Sequence, residues 1–131
     1  MFKDSHAFSS FSVDDLAKAK EFYVGTLGIS VNEESEGLDL RLAGGGSVFI
    51  YPKGPQHQPA SFTVLNFKVN DIDAAVDELS SKGVQLESYG GDIATDEMGV
   101  FRGRERGHGP NIAWFKDPAG NILSIVEDTD Q

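Results

Sequence analysis

Residues 11–16 read Phe-Ser-Val-Asp-Asp-Leu, and 56 positions later residues 67–72 read Phe-Lys-Val-Asn-Asp-Ile. Each copy is an alternating apolar run followed by an acidic turn, and each leads into apolar residues at helical spacing. Alternation predicts a half-buried strand, and the helical spacing predicts an amphipathic helix. The repeat therefore indicates two similar halves that each begin with a strand and a helix.

Both predicted helices have a capping residue and a terminating glycine. Asp14 or Asp15 can cap the first helix, and Asp71 the second, by accepting a hydrogen bond from a free backbone N–H. Gly28 and Gly83 provide the left-handed residue that commonly ends a helix. The buried stripes are predicted to contain Leu16, Ala19, Phe22, Tyr23 and Leu27 in the first helix, and Ile72, Ala75, Val76 and Leu79 in the second.

Three strand-like runs follow each helix, at residues 29–32, 38–42 and 48–51 in the first half and at 84–87, 112–116 and 122–126 in the second. A glycine triplet at residues 44–46 and an Asp-Pro-Ala-Gly-Asn turn at 117–121 join strand pairs. The chain therefore reads as an α+β fold of two tandem βαβββ modules. Module one is predicted over about residues 5–52, a proline-rich linker over 52–60, and module two over 61–128.

A long glycine-rich segment, residues 88–110, breaks the symmetry of the two halves. It carries Arg102, Arg104, Arg106 and His108 in a chain whose formal net charge is −10. Loops of this length inside compact domains are usually functional or disordered. The sequence leaves open whether this segment contacts a ligand, lies in solvent or faces a second copy of the chain.

Composition limits the class of protein. A chain of 131 residues with 39% apolar residues is typical of a single globular domain. The absence of cysteine excludes disulfides, thiolate metal sites and thiol nucleophiles. No apolar run approaches the roughly 18 residues of a membrane span, and the N-terminus lacks a signal-peptide core, so we expect a cytoplasmic protein without membrane contact. The acidic charge disfavours nucleic acid and favours cationic small molecules.

Two longer stretches resemble a known family. Residues 11–23, followed by Thr-Leu-Gly at 26–28, resemble the opening of vicinal oxygen chelate domains, and residues 114–123 are similar to their closing strand pair. That superfamily includes glyoxalase I, bleomycin resistance proteins, fosfomycin resistance proteins and extradiol dioxygenases. The resemblance covers about residues 7–127 and implies curved mixed sheets around a cup. In catalytic members, it implies a metal held by the first and last strand of each module.

The same resemblance places the four metal-ligand positions on Phe8, Phe49, Val64 and Ser124. Divalent metals of this type need nitrogen and oxygen donors, which phenylalanine and valine lack. We therefore expect no metal, no other cofactor and no catalytic residue. A displaced metal site built from His6, His57 and His108 stays open, although their spacing matches no known pattern.

Without metal donors, the cup would become an apolar binding site. The predicted pocket residues are Phe8, Phe49, Tyr51, Val64, Trp114 and Ser124, with Arg102 from the long segment. An aromatic cup on an acidic protein suits an aromatic or cationic ligand. Bleomycin resistance proteins, which are metal-free dimers that sequester a cationic drug, offer the precedent that the resemblance implies. The leading prediction is thus a non-catalytic small-molecule-binding homodimer.

Two other functions remain open from the sequence. The chain could be an enzyme of the same superfamily, a glyoxalase-like lyase, an isomerase or a dioxygenase. Such an enzyme would use a displaced metal, or it would use the arginine-rich segment on an anionic substrate without a metal. Alternatively, the aromatic residues fill the core, and the chain is a protein-interaction module.

Overall fold

The computed structural model describes residues 1–128, and the chain divides between Pro59 and Ala60 into two compact units. We call these units module one and module two. The division falls inside the segment predicted as a linker. Among the described residues, no helix combines the length and apolar character needed to span a bilayer.

Module one has the predicted order of elements. Strand β1 (Ser9–Val13) leads into helix α1 (Leu16–Lys20) and a π-helical turn (Glu21–Thr26), followed by β2 (Ser30–Glu34), β3 (Gly37–Arg41) and β4 (Ser47–Pro52). The strands lie in the order β1-β4-β3-β2, with β1 parallel to β4 and the other pairs antiparallel. A short 3-10 turn (Gly54–Gln56) follows β4.

Module two repeats this arrangement. It contains β5 (Thr63–Val69), α2 (Ile72–Ser81), a 3-10 turn (Gly91–Ile93), β6 (Val100–Arg102), β7 (Asn111–Lys116) and β8 (Ile122–Glu127). Its sheet order is β5-β8-β7-β6, and β5 is parallel to β8. The α+β class and the tandem βαβββ order predicted from the sequence are confirmed, because each module has one helix layer against one mixed sheet of four strands within residues 1–128.

Both helices begin where the sequence predicts. The carboxylate of Asp15 accepts a hydrogen bond from the N–H of Lys18 at 3.2 Å, and that of Asp71 accepts one from Ala74 at 3.1 Å. The prediction of one continuous α-helix in module one is wrong after Lys20, where the backbone becomes π-helical. A π-helix forms its backbone hydrogen bonds between residues five apart, whereas an α-helix forms them between residues four apart. The 3.6-residue spacing of buried side chains therefore no longer applies to this stretch.

Each sheet has one face against its helix, because successive side chains of a strand alternate between faces. The helix-facing core of module one contains Phe11, Val13, Leu38, Leu40, Val48 and Ile50, all buried. Tyr23 is fully buried beside Phe11, with ring centroids 6.2 Å apart. We call the opposite side of each sheet its helix-free face. In module one it carries Ser12, Asp39, Phe49 and Tyr51.

One predicted strand is wrong. Residues 84–87 form only an isolated bridge, between Leu86 and Phe115. The missing strand is instead β6, inside the segment predicted as a loop. Val100–Arg102 pairs with residues 111–113 of β7, so residues 84–87 reach only the far end of that strand, where the Glu87 N–H donates to the Trp114 carbonyl at 2.8 Å. A turn stabilises β6, since the Asp96 carboxylate accepts hydrogen bonds from the N–H groups of Met98 and Val100, both at 2.9 Å.

Arg102 ties this turn to helix α2. Its guanidinium lies 2.7 Å from the carboxylate of Asp73 and 2.9 Å from that of Asp96. Hydrogen bonds from the guanidinium to Asp73 and Asp96 raise the pKa of Arg102. Burial alone would raise the pKa of Asp96, but hydrogen bonds from Val100, Arg102 and Met98 outweigh it and lower that pKa. The carboxylate of Asp96 is therefore held in its charged form.

This lowered pKa predicts an acid-sensitive contribution to stability. A carboxylate with a folded-state pKa below its unfolded value stabilises the fold above the unfolded pKa of about 4, and the contribution is lost as pH falls through the folded pKa. We expect Asp96→Asn to be less stable than wild type at pH 7, with the gap narrowing towards pH 3. Urea unfolding across this range measures it, with Asp77→Asn, an exposed carboxylate of α2, as the control. An equal gap at both pH values would contradict the assignment.

Candidate functional site

The helix-free face of module one carries a pair of stacked rings. Phe49 and Tyr51 alternate on β4, and their ring centroids lie 6.3 Å apart with an interplanar angle of 16°. Both side chains are half-buried. Phe49 lines a shallow cavity of about 370 Å³ together with Phe8, Glu34, Asp39 and Ser47. The structure thus brings together Phe8, Phe49 and Tyr51, three of the residues predicted for the pocket.

Phe8 contributes from outside the sheet. It lies immediately before β1 and is 70% exposed, so most of its side chain is in contact with water. Gly37 supports the neighbouring ring of Phe49. A Cβ atom at Gly37 would lie 2.7 Å from Cζ of Phe49 and 2.2 Å from the carbonyl oxygen of Ile50. The ring position therefore depends on a residue without a side chain.

Carboxylates flank these rings. Asp39 lines the cavity and pairs with the Arg41 guanidinium at 3.1 Å, while Glu34 lines it at the end of β2. One cation against two carboxylates leaves an excess of negative charge at this cavity. Such an excess favours cationic ligands.

A serine–histidine contact adjoins the stacked rings. The Ser12 hydroxyl lies 2.7 Å from Nδ1 of His57, and Ser12 is the register partner of Tyr51. The chain after β4 is held in place by a hydrogen bond from Lys53 N–H to the Val13 carbonyl at 2.8 Å. Sequence reasoning missed this contact, because nothing in the spacing of Ser12 and His57 predicts that the linker folds back onto β1.

Module two presents a different helix-free face. Trp114 on β7 and Ser124 on β8 are register partners. Ser124 is fully buried and its hydroxyl donates a hydrogen bond to the side-chain oxygen of Asn66. Val64 lies half-buried at an irregularity of β5, between Thr63 and Leu65. Trp114 and Ser124 therefore lie opposite each other on neighbouring strands, and the Ser124 hydroxyl is hydrogen-bonded to Asn66 of the same module.

A second cavity, of about 520 Å³, opens on this face, and it is lined by Asp92, Ile93, Phe101, His108, Ile112 and Trp114. The edge of one ring in the pair Tyr89–Trp114 meets the face of the other, with centroids 5.4 Å apart. Burial first, and then the nearby charge of Glu87, raise the pKa of the Tyr89 hydroxyl. That hydroxyl therefore stays protonated at neutral pH.

Arg102 does not join this cavity. Strand β6 alternates, so Phe101 lies opposite Ile112 on the helix-free face, whereas Arg102 extends to Asp73 on α2. Sequence reasoning selected Arg102 and missed Phe101, because the parity of a three-residue strand cannot be assigned before the strand itself is recognised.

His108 lines the second cavity, and His57 contacts Ser12. Among residues 1–128, no group of three or more His, Asp or Glu side chains is arranged to hold a metal ion.

Known proteins are similar to this chain over most of its length. A family model described as the Glyoxalase/Bleomycin resistance protein/Dioxygenase superfamily matches residues 6–125. The uncharacterized protein YwkD of Bacillus subtilis (strain 168) is 35% identical over 126 residues, which cover 86% of this chain and 88% of that protein.

Solved structures agree. The structure of a glyoxalase family protein from Enterococcus faecalis is 25% identical, with a TM-score of 0.67, and the match covers 97% of this chain and 100% of that chain. TnmS3, an antibiotic binding protein from Streptomyces sp. CB03234, is 24% identical, with a TM-score of 0.65, covering 95% of this chain and 97% of that chain. With a family model that matches nearly all of its length, this chain belongs to the Glyoxalase/Bleomycin resistance protein/Dioxygenase superfamily.

Proposed function

We propose that this protein is a non-catalytic small-molecule-binding member of the superfamily, and that module one binds a planar cationic compound. The observation that carries the proposal is the stacked pair Phe49–Tyr51 beside the carboxylates of Asp39 and Glu34. Aromatic faces attract cations through their quadrupole, and this attraction adds to the area that a flat ligand buries.

The chemistry of the four positions where catalytic relatives would hold a metal supports this proposal. Phe8, Phe49 and Val64 offer no donor atom, and the Ser124 hydroxyl already donates to Asn66. Divalent metals of this type require several nitrogen or oxygen donors, so these side chains do not fit one. We therefore derive no reaction through a metal at these positions.

The relatives provide a precedent on the same fold. TnmS3 is named as an antibiotic binding protein, so this arrangement of strands supports ligand capture in at least one relative. We propose that the present protein acts in the same general way, by sequestering its ligand, as a homodimer in the cytoplasm. The absence of cysteine agrees with a reducing compartment.

Binding of matched probes tests the proposal. We expect 2-naphthamidine, a flat cation, to bind about tenfold more tightly than the neutral isostere 2-naphthamide, because only the cation gains from the carboxylates and ring faces. Isothermal titration calorimetry measures both affinities. Phe49→Leu should weaken amidine binding about tenfold, whereas Phe62→Leu, at a 67% exposed phenylalanine of module two, should leave it unchanged.

Two results would overturn the proposal. One is equal affinity of wild type and Phe49→Leu for the amidine. The other is tight binding of one nickel, zinc or iron ion per chain, measured by elemental analysis after metal is offered. Such binding would favour the alternative function, a metal-dependent enzyme.

A metal-free enzyme is the second candidate, favoured by the contact of 2.7 Å between Ser12 and His57 beside Tyr51. A histidine can take the proton of a serine hydroxyl and so activate it as a nucleophile. A fluorophosphonate probe distinguishes the candidates, since an activated Ser12 would be labelled in wild type and not in Ser12→Ala or His57→Gln. The binding-protein proposal expects no labelling of Ser12.

A further inference from the structure

We infer that the free edge of the module one sheet is a docking site for another protein, which adds a basic, extended segment there as a fifth strand. Strand β2 lies at that edge and, within residues 1–128, pairs only with β3. Every second residue of an antiparallel edge strand directs its N–H and C=O away from the sheet, where an added strand can bind them. The inference goes beyond the proposed function, because it concerns a sheet edge and a partner of a different class.

The equivalent edges of the two modules differ. In module two the edge strand β6 has three residues, and Arg102 at its end is bonded to Asp73 and Asp96. A very short edge strand is one way in which proteins prevent pairing with another chain. Strand β2 has five residues, enough to form a ladder with an added strand. Module one therefore presents an open edge at the position where module two has a shortened one.

A groove of about 760 Å³ is lined by β2 and by the π-helical turn that precedes it. Val31 lies on the helix side of the sheet, since its register partner Leu40 belongs to the buried helix-facing core. Val24 of the π-helical turn lines the same groove and is 38% exposed. Turns of this kind are rare and are frequently found at functional sites. An apolar side chain of an added strand, placed beside Val31, would enter this groove and bury part of Val24.

The charge at this edge favours a basic partner. Glu33 and Glu34 line the groove, and Glu36 follows in the turn to β3. Lys20 also lines the groove and pairs with Glu33 at 2.9 Å, whereas Glu34 and Glu36 form no ion pair with residues 1–128. A second copy of β2 would bring the same carboxylates to this edge, and like charges disfavour strand pairing. A segment with lysine or arginine would form pairs of opposite charge instead.

A short peptide matched to β2 tests the inference on the full chain. Antiparallel to β2, acetyl-Lys-Lys-Thr-Val-Thr-amide places its lysines opposite Glu34 and Glu33 and its valine opposite Val31. We expect it to bind about tenfold more tightly than acetyl-Glu-Glu-Thr-Val-Thr-amide, in titrations followed by nitrogen–proton spectra. The β2 amide groups that point away from β3 should then exchange with solvent more slowly, whereas the amide groups of β6 should not change.

Methylated peptides test for strand addition itself. Successive residues of a strand direct their N–H groups to opposite edges, so only alternate residues of the peptide can donate to β2. Methylation of the first and third backbone nitrogens should therefore differ from methylation of the second and fourth. One pattern should abolish binding of the basic peptide, and the other should largely retain it.

Variants of the protein test the groove and its charge. Glu33→Gln should weaken binding of the basic peptide about threefold, and Lys20→Gln, which removes a repelling cation, should strengthen it about twofold. Glu105→Gln makes the same charge change as Glu33→Gln at an exposed residue of module two, and it should leave the affinity unchanged. Val24→Thr keeps the shape of an exposed side chain and should weaken binding about threefold.

Three outcomes would overturn the inference. They are equal affinities for the basic and the acidic peptide, equal effects of the two methylation patterns, and unchanged exchange of the β2 amide groups with the peptide at millimolar concentration. Self-association of the chain that slows exchange at β2 would also overturn it, by assigning the edge to a second copy. Phe49→Leu should bind the basic peptide as wild type does, so this inference and the proposed site for the amidine fail separately.

Discussion

Replacing Gly37 by alanine is expected to lower the free energy of unfolding by about 3 kcal/mol, at the upper end of what overpacking costs. The new Cβ atom would lie 2.2 Å from the carbonyl oxygen of Ile50 and 2.7 Å from Cζ of Phe49. A side chain can rotate away, but the carbonyl belongs to the paired backbone of β4, so the β3–β4 ladder must shift. Equilibrium urea unfolding measures the loss.

Gly46→Ala is the matched control. Gly46 lies in the turn between β3 and β4, and no heavy atom outside its chain neighbours lies within 4 Å of a Cβ built there. Its stability should stay within about 0.5 kcal/mol of wild type. Equal effects of the two substitutions would contradict the steric account. Because Gly37 also supports the ring of Phe49, Gly37→Ala should additionally weaken binding of 2-naphthamidine.

Replacing Asp117 by alanine is expected to cost about 3 kcal/mol and to lower Tm by roughly 10 °C. Asp117 is 4% exposed and holds the turn between β7 and β8. Its carboxylate accepts hydrogen bonds from the N–H groups of Ala119 and Asn121, at 3.0 and 2.9 Å, and from the Asn121 side chain at 3.0 Å. Since Asn121 is 2% exposed, its donors would be left buried without this acceptor.

Asp14→Ala serves as the control for this loss. The carboxylate of Asp14 also accepts a backbone hydrogen bond, from Asp15 at 2.8 Å, but in an exposed position where water replaces it. Asp14→Ala should lower the free energy of unfolding by about 0.5 kcal/mol. Thermal unfolding of both variants decides the matter, and a Tm for Asp117→Ala within a few degrees of wild type would show that the turn does not need this carboxylate.

Much of the fold is predictable because its signals are local. The caps Asp15 and Asp71, the left-handed glycines Gly28 and Gly83, and the turn at Asp117 act within a few residues. Each of them is visible as a residue type at a fixed offset. Together with the duplicated pattern they predict the tandem βαβββ order, and the structure confirms it.

The third strand of module two was predicted in the wrong place for a non-local reason. Residues 84–87 have a strand-like composition, yet residues 111–113 of β7 pair with Val100–Arg102, and residues 84–87 form only the bridge to Phe115. Which segment pairs with β7 depends on the turn at Asp96 and on its ion pair with Arg102. No periodicity in the chain carries that information.

The candidate sites were predictable only where their residues lie on a strand that the sequence locates. That Phe49 and Tyr51 lie on one face was predictable because they alternate on a strand that the sequence locates well. Phe101 was missed as a cavity residue because its face follows from β6, which the sequence did not reveal. The contact of Ser12 with His57 depends on the path of the linker, which leaves no pattern at all.

The parallel pairing of the first and last strand in each module has a consequence for how extra chain is tolerated. In module one this pairing joins Ser9 to Val48, and in module two it joins Thr63 to Ile122 across a longer segment that is still less than twice as long. Loop-closure entropy rises only with the logarithm of length, about 0.6 kcal/mol for each doubling. Residues 88–110 therefore add little to the entropic cost of bringing β5 and β8 together. Such a segment is free to lengthen and change its side chains during evolution while the sheet that it decorates stays the same.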